Sequence, residues 1–193
     1  PGVASLVEVL AHDSPNRVDV VDLCTQTSLH EEQIVRCLEA GVHVICEKPL
    51  VESVAACDRI EGAAERAAAT SGARLMPIFQ YRFGRGLQKL RFVVDEGLAG
   101  RAYLTTVETA WRRRADYYVT WHGRWETELG GALVTLAVHA HDALTYILGP
   151  VGRVLAHTAT LVNPIETEDC IAASLQMADG SLAVLSVTTG STV

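Results

Sequence analysis

The sequence predicts an α/β chain in two parts: a partial parallel βαβ domain in residues 1–84, then an α+β domain in residues 85–193 with a largely antiparallel open sheet. In the first part, short apolar runs alternate with helical segments. In the second, strand-like runs alternate apolar and polar residues, and an Asp-Gly dipeptide typical of hairpins joins the last two. The change of pattern near Gly84 sets the predicted boundary.

Strand, helix, strand, helix and strand follow one another in the first part. The first of these helices has Ser28 as its predicted N-cap, Glu31 three residues later and Gly41 at its end. This alternation predicts right-handed crossovers and a parallel sheet. The five segments are residues 18–25, 28–41, 43–49, 51–72 and 73–83.

The second part opens with a helix at residues 85–97 and a strand at 102–112, and a long helix is predicted over residues 131–148. That helix has two stripes. The apolar stripe predicts contact with a core, and the polar stripe predicts a face toward a cleft. The apolar stripe is Leu133, Leu136, Ala137, Ala140, Leu144, Ile147 and Leu148, the polar stripe is Thr135, His139, Asp142 and Tyr146, and strands 152–162, 167–178 and 180–189 follow.

Composition excludes several classes of function. The chain has 193 residues, 49% of them hydrophobic, and a formal charge of −7, which predicts a compact soluble protein and argues against nucleic acid as a partner. Charge, Gly or Pro interrupts each long apolar run, so no membrane span is predicted. The five cysteines are scattered without C-x-x-C spacing, which favours reduced thiols and a cytoplasmic location. His139 and His141 are two residues apart on a helix and point away from each other, so no metal site is predicted.

Polar residues stand where the predicted parallel strands end, the edge at which open α/β sheets bind ligands. Ordinary turn chemistry explains the first of these loops equally well. It does not explain Lys48, because a lysine desolvated at a strand end costs several kcal/mol unless it is paired or its pKa falls. The Lys48–Pro49 bond is also a candidate for the cis form. The three loops are Thr25-Gln26-Thr27 with His30, Glu47-Lys48-Pro49, and Gln80-Tyr81-Arg82.

A third set of candidates precedes the long helix. Trp121, Arg124 and Trp125 lie shortly before the Gly130-Gly131 pair that starts the helix. Aromatic rings beside an arginine suit sugars and other polar ring substrates, while tryptophans equally often serve as structural anchors. Both interpretations remain open on the sequence.

Together these segments resemble the Gfo/Idh/MocA oxidoreductases, the group of glucose-fructose oxidoreductase and inositol dehydrogenase. The resemblance is carried by residues 24–50, 78–83 and 130–149, above all by the Glu-Lys-Pro element and the Gly-Gly helix with its His-x-x-Asp. It implies an N-terminal Rossmann domain that binds NAD or NADP. It also implies a C-terminal domain whose open sheet supports substrate binding and homo-oligomerisation.

Carried over by position, the resemblance implies that Lys48 is the active-site lysine and His139 the catalytic histidine. The cofactor-binding positions it implies are Thr25, Gln26, Thr27, His30, Glu47, Lys48, Pro49 and Arg82. The candidates for substrate binding are Trp121, Arg124, Thr135 and Asp142.

Three positions depart from the family pattern. Gln26-Thr27 stands where the family usually has Pro-Asn, and Thr135 where many members have an acid one turn before the histidine. A neutral hydroxyl cannot raise the basicity of His139 as a carboxylate would. No G-x-G-x-x-G occurs, so the phosphate-binding unit of about 30 residues is expected before Pro1 and the chain by itself is expected to be an inactive fragment.

Three hypotheses of function follow. The first is NAD(P)-dependent hydride transfer from the secondary alcohol of a sugar, a polyol or a related small molecule. The second is an NAD-dependent glycosidase on the same fold, which would release sugar without net formation of reduced cofactor. The third is a non-catalytic nucleotide- or sugar-binding protein, which would bind without turnover.

Overall fold

The computed structural model describes residues 5–51 and 53–191. The contacts divide the chain into two compact units, Pro1–Ile78 and Phe79–Val193. This division falls a few residues before the boundary predicted near Gly84, and the roles assigned to the two domains stay predictions. Glu52, which belongs to the predicted helix 51–72, lies outside the described residues.

The first unit is built on a three-stranded parallel sheet in the order β1-β2-β3, which confirms the predicted βαβ pattern. Leu23, Cys46 and Pro77 are in register at the carboxyl ends of the three strands. Helices α2 and α3 make the crossovers. The elements are α1 Leu6–Leu10, β1 Val20–Leu23, α2 Thr27–Glu39, β2 His43–Cys46, α3 Val54–Thr70 and β3 Leu75–Pro77.

The core of the first unit lies between this sheet and its helices. Ile34 and Leu38 of α2 and Val44 of β2 are fully buried in it. Alanines on α3 pack against the same cluster, because small side chains let a helix approach closely. Burial raises the pKa of the Cys37 thiol to about 11 and that of Cys46 to about 12, so both thiols stay protonated near neutral pH.

The predicted N-cap of α2, Ser28, is wrong by two residues. The helix begins at Thr27, and Gln26 is its N-cap without a side-chain hydrogen bond. Gln26 has extended backbone angles and its carbonyl accepts from Leu29 N at 2.9 Å, so Ser28 is already helical. Glu31 does not complete a capping box, since its carboxylate pairs with Arg59 of α3. Gly41 ends the segment at φ +73°, as predicted.

The second unit contains a four-stranded sheet in the order β4-β7-β6-β5. β4 pairs with β7 in parallel, and the other two pairs are antiparallel, which confirms the predicted fold class. Gly180 turns the β6–β7 hairpin at φ +85°. The elements are a 3₁₀ turn Gln80–Phe83, α4 Arg85–Asp95, β4 Leu104–Ala110, a 3₁₀ turn Ala115–Tyr118, α5 Trp125–Glu128, α6 Ala132–Thr135, α7 Val138–Leu148, β5 Val151–Ala159, β6 Cys170–Met177 and β7 Leu182–Thr188.

One face of this sheet packs on α6 and α7 to form the second core. Ile171 and Leu175 of β6 and Leu185 of β7 alternate with exposed or half-buried neighbours and are buried against the helices. Most of the predicted apolar stripe contributes to this cluster, which confirms that it faces a core. The stripe residues in the cluster are Leu133, Ala137, Ala140, Leu144 and Leu148.

Two predicted elements differ in the structure. The helix predicted over 131–148 is broken, with α6 ending at Thr135 and α7 beginning at Val138. The Ala132 carbonyl accepts from Leu136 N at 3.3 Å and from Ala137 N at 2.8 Å, which inserts an extra residue into that turn. The predicted strand 73–83 ends at Pro77, and its last residues form the 3₁₀ turn instead.

Among the described residues, no single helix has both the length and the apolar character needed to cross a membrane. The bent pair Trp125–Thr135 and Val138–Leu148, with 44° between its halves, passes on those two properties jointly. Ala132 and Leu144 of this pair are buried in the second core.

Candidate functional site

The first two predicted loops lie at the same edge of the first unit. The segment after Leu23 leads into α2, and Glu47-Lys48-Pro49 follows Cys46 directly. Glu47 N donates to the Leu23 carbonyl at 2.9 Å, which joins the two strand ends. The third predicted loop, residues 80–82, belongs to the second unit.

The His30 side chain contacts backbone carbonyls of both loops. Its side chain is buried, with 1% of its surface exposed. Nε2 lies 3.1 Å from the Thr25 carbonyl, and Nδ1 lies 3.1 Å from the Pro49 carbonyl and 3.2 Å from that of Leu50. Both ring nitrogens thus face acceptors, and a neutral imidazole donates to only one side at a time. His30 therefore shapes the strand-end edge through the backbone.

The other residues of this edge remain accessible. Thr25 and Gln26 are exposed, while Glu47, Lys48 and Pro49 are half-buried. The Thr25 hydroxyl hydrogen-bonds to Gln33 Oε1 at 2.6 Å. The Lys48–Pro49 peptide bond is cis, which confirms that prediction.

His139 lies at the start of α7 in the second unit and is 5% exposed. The ring of Tyr81 stacks on it, with centroids 4.6 Å apart and an angle of 24° between the planes. Tyr81 is in the 3₁₀ turn, so this turn covers one face of the predicted catalytic imidazole. The sequence indicated the turn through Arg82 and did not indicate Tyr81 as a partner of His139.

Arg82 and Asp142, predicted to bind cofactor and substrate, contact each other. Arg82 Nε donates to Asp142 Oδ2 at 2.9 Å and to Oδ1 at 3.1 Å, and Nη2 donates to Oδ1 at 2.5 Å. Hydrogen bonding to Asp142 raises the pKa of Arg82 above its usual value. Asp142 is 5% exposed. The pair therefore joins the 3₁₀ turn to α7.

Glu168 holds the start of the helix that precedes His139. Its carboxylate accepts from Gly131 N and Leu133 N, each at 3.1 Å, and its carbonyl accepts from Ala132 N at 2.9 Å. A Cβ on Gly131 would lie 2.1 Å from the Glu168 carbonyl oxygen, so only glycine fits there. Thr135, the position of the missing acid, donates its hydroxyl proton to the Gly131 carbonyl at 2.8 Å.

An aromatic stack precedes that helix start. Trp121 is 41% exposed and its ring lies 3.8 Å from that of His122, which in turn stacks on Tyr117 at 4.0 Å. His122 Nδ1 is 2.8 Å from Oε1 of the buried Glu128. Arg124 is exposed beside this stack along the chain. Trp121 is therefore partly exposed and packs against His122, and an exposed aromatic ring suits a ring substrate.

His122 and Glu128 were not among the predicted site residues. Glu128 lies in a four-residue helix that is too short to give a periodic pattern, and its Oε2 accepts from Gly123 N at 2.5 Å.

In residues 5–51 and 53–191, no three His, Cys, Asp or Glu side chains come together as a ligand set for a metal ion.

Two family models match the chain. Residues 2–74 match the model of the oxidoreductase family with an NAD-binding Rossmann fold, and residues 87–193 match that of the GFO/IDH/MocA C-terminal domain. Together they cover both units.

Among curated proteins, the chain is 32% identical over 131 residues to D-glucoside 3-dehydrogenase of Escherichia coli (strain K12), which is 68% of this chain and 36% of that protein. It is 31% identical over 156 residues to myo-inositol 2-dehydrogenase of Thermotoga maritima, covering 78% of this chain and 42% of the relative. The chain thus spans less than half the length of these two relatives.

Among solved structures, the chain resembles the WlbA dehydrogenase of Bordetella pertussis in complex with NADH and UDP-GlcNAcA. The TM-score is 0.88 at 34% identity, over 98% of this chain and 53% of the other. The fold, the two matching models and these relatives agree, and the chain belongs to the Gfo/Idh/MocA family of oxidoreductases.

Proposed function

We propose that the full-length protein is an NAD(P)-dependent oxidoreductase that moves a hydride between the secondary alcohol of a sugar, polyol or related small molecule and a nicotinamide. The observation that carries this proposal is the buried imidazole of His139, held at the start of α7 with one face covered by Tyr81. A general base needs such a fixed ring, because proton transfer requires hydrogen-bond geometry with the substrate hydroxyl.

The strand-end edge of the first unit supports the cofactor part of this proposal. The residues that would hold NAD or NADP there are Thr25, Gln26, Thr27, Glu47, Lys48 and Pro49, while His30 shapes the backbone beneath them. Position at the carboxyl ends of parallel strands fits a dinucleotide. When bound, the nicotinamide ring takes up the hydride. The residue that reads the 2′ position is not among them, so the proposal covers both cofactors.

The roles of the residues follow from their chemistry. His139 accepts the proton of the substrate hydroxyl as the carbinol carbon loses its hydride. Lys48 is a cationic hydrogen-bond donor, and its role is to stabilise negative charge that develops during the reaction. The exposed Trp121 and Arg124 provide a ring face and a positive charge for the substrate.

The relatives narrow the substrates to test. They act on a glucoside and an inositol by name, and the WlbA structure holds a nucleotide-linked sugar acid. Exposed arginines near Trp121 along the chain, at 112, 114 and 124, favour an acidic substrate over a neutral one. We therefore place UDP-GlcNAcA first in the panel.

The test is turnover by the full-length protein with NAD⁺ and with NADP⁺ on UDP-GlcNAcA, a glucoside and myo-inositol, followed by the absorbance of the reduced nicotinamide. We expect turnover with at least one pair, and Lys48→Met should lower kcat by about 10²- to 10⁴-fold through loss of the charged donor. Lys89→Met, which removes an exposed lysine of α4, should leave kcat unchanged.

Assays of released sugar and of NAD(P) binding, run beside the absorbance assay, separate the rival hypotheses. Release of sugar without net formation of reduced cofactor would identify a glycosidase. Tight NAD(P) binding without turnover on any substrate would identify a non-catalytic binding protein. Either result overturns the proposed dehydrogenase.

We also propose that the protein forms a homo-oligomer through the second sheet and resides in the cytoplasm. The sheet face away from α7 carries exposed apolar side chains on three of its four strands, a surface that favours association between copies. These side chains are Leu104, Leu155, Leu182 and Val184. Free cysteines support the location, because reduced thiols are usual in the cytosol.

A further inference from the structure

We propose that residues 79–82 form a clamp that positions His139, in which Arg82 binds Asp142 and Tyr81 holds the plane of the imidazole. This inference rests on the proposed function, since it assigns positioning residues to the same general base. In this proposal Arg82 and Asp142 bind each other, and neither is assigned to cofactor or substrate binding.

One face of α7 contacts the turn. His139, Asp142 and Tyr146 are spaced by three and four residues, so their side chains project from one side of the helix. All three contact the turn. Tyr81 stacks on His139, Arg82 binds Asp142, and the Arg82 guanidinium lies 5.1 Å from the ring centroid of Tyr146.

Arg82 and Asp142 form a bidentate ion pair. The Asp142 side chain is 6% exposed and accepts on both oxygens from the guanidinium. The Phe79 ring centroid also lies 5.2 Å from this guanidinium, so the cation contacts one aromatic ring just before the turn and one on α7. A two-pronged arginine–carboxylate pair is more directional than a single hydrogen bond. The turn is therefore held in one position along α7.

The position of the turn also restricts the orientation of the His139 ring. Tyr81 is adjacent to Arg82, and its ring lies 4.6 Å from the imidazole at 24°. Tyr81 is 45% exposed, so it gains little from core burial at this place. A ring stacked on the imidazole hinders rotation about the Cβ–Cγ bond and so fixes the direction in which the ring nitrogens point. Misplacement of a catalytic group by about 1 Å can cost about 10²-fold in rate.

The experiment compares four variants of the full-length protein: Tyr81→Phe, Tyr81→Leu, Asp142→Asn and the control His141→Gln. His141 is on α7 and exposed. We expect Tyr81→Phe and His141→Gln to keep kcat within about 3-fold. Tyr81→Leu and Asp142→Asn should lower kcat roughly 10- to 100-fold with little change in KM, since the base is displaced while the substrate still binds.

A second measurement does not depend on turnover. In protein labelled with ¹³C-histidine, the His139 ring-proton resonance, assigned by its loss in His139→Gln, should shift in Tyr81→Leu and stay in place in Tyr81→Phe. The control His141→Gln should leave it unmoved.

An unmoved resonance in Tyr81→Leu would show that the stack is absent and would overturn the clamp. A shifted resonance with unchanged kcat would overturn its positioning role. If the wild-type protein turns over no substrate, the proposed function fails while the resonance still decides whether the clamp exists.

Discussion

The His139→Gln variant of the full-length protein should lose about 10²- to 10⁴-fold in kcat, because glutamine preserves a polar side chain and removes the base. Affinity for the cofactor should stay within a few-fold, since the predicted cofactor residues of the first unit are intact. The variant should also lose the acid limb of the kcat/KM profile against pH, which reports protonation of an essential base in the free enzyme.

His141→Gln is the matched control for this prediction. It changes the same residue type two positions away on α7, at an exposed side chain. Its kcat and pH profile should match those of the unmodified protein. Equal losses in both variants would point to a general effect on the helix, and retention of kcat in His139→Gln would remove the general base from the mechanism.

Gly131→Ala should destabilise the second unit by about 3 kcal/mol or more, near or above the upper end of typical overpacking costs. The new Cβ would lie 2.1 Å from the Glu168 carbonyl oxygen and 2.6 Å from its Oε2. Backbone oxygen cannot move away as a side chain can, so the hydrogen bonds from Gly131, Ala132 and Leu133 to Glu168 would be displaced together.

Urea denaturation followed by tryptophan fluorescence measures this loss, because all three tryptophans, Trp111, Trp121 and Trp125, belong to the second unit. Gly86→Ala is the control: the site is helical, and an added Cβ there meets no atom within 4 Å. Alanine should raise stability at Gly86 by up to about 1 kcal/mol. An unchanged midpoint in Gly131→Ala would contradict the tight packing against Glu168.

Local pattern was enough for the fold class. The parallel sheet follows from short Val-rich strands separated by amphipathic helices, and the β6–β7 hairpin follows from Asp179-Gly180. Each of these features depends on residues close together in sequence. The same holds for the apolar stripe of residues 133–148, whose members repeat at helical spacing and pack in the core with the sheet.

The broken helix could not be predicted in this way. Its apolar stripe continues through Leu136 and Ala137, so periodicity gives no sign of the break. The geometry depends instead on Ala132, which accepts two backbone hydrogen bonds, and on Glu168, which binds Gly131 from 37 residues away. Contacts at that separation carry no periodic signal.

The candidate site was also predictable only in part. The family motif pointed to Lys48, His139, Arg82 and Asp142, whose roles stay predictions. The motif could not indicate that Arg82 and Asp142 pair with each other, or that Tyr81 stacks on His139, because these contacts join a turn to a helix about 60 residues later. His30 was predicted to line the cofactor, and only the structure shows that its ring nitrogens face carbonyls of two different loops.

The central claim is that Lys48 and His139 serve one chemical step, and kcat of the double variant Lys48→Met/His139→Gln tests it most directly. Residues that act as a unit show strongly non-additive losses, so the double variant should lose little more than the worse single variant. Losses that multiply in full would mean that the two residues act independently, and would contradict the mechanism.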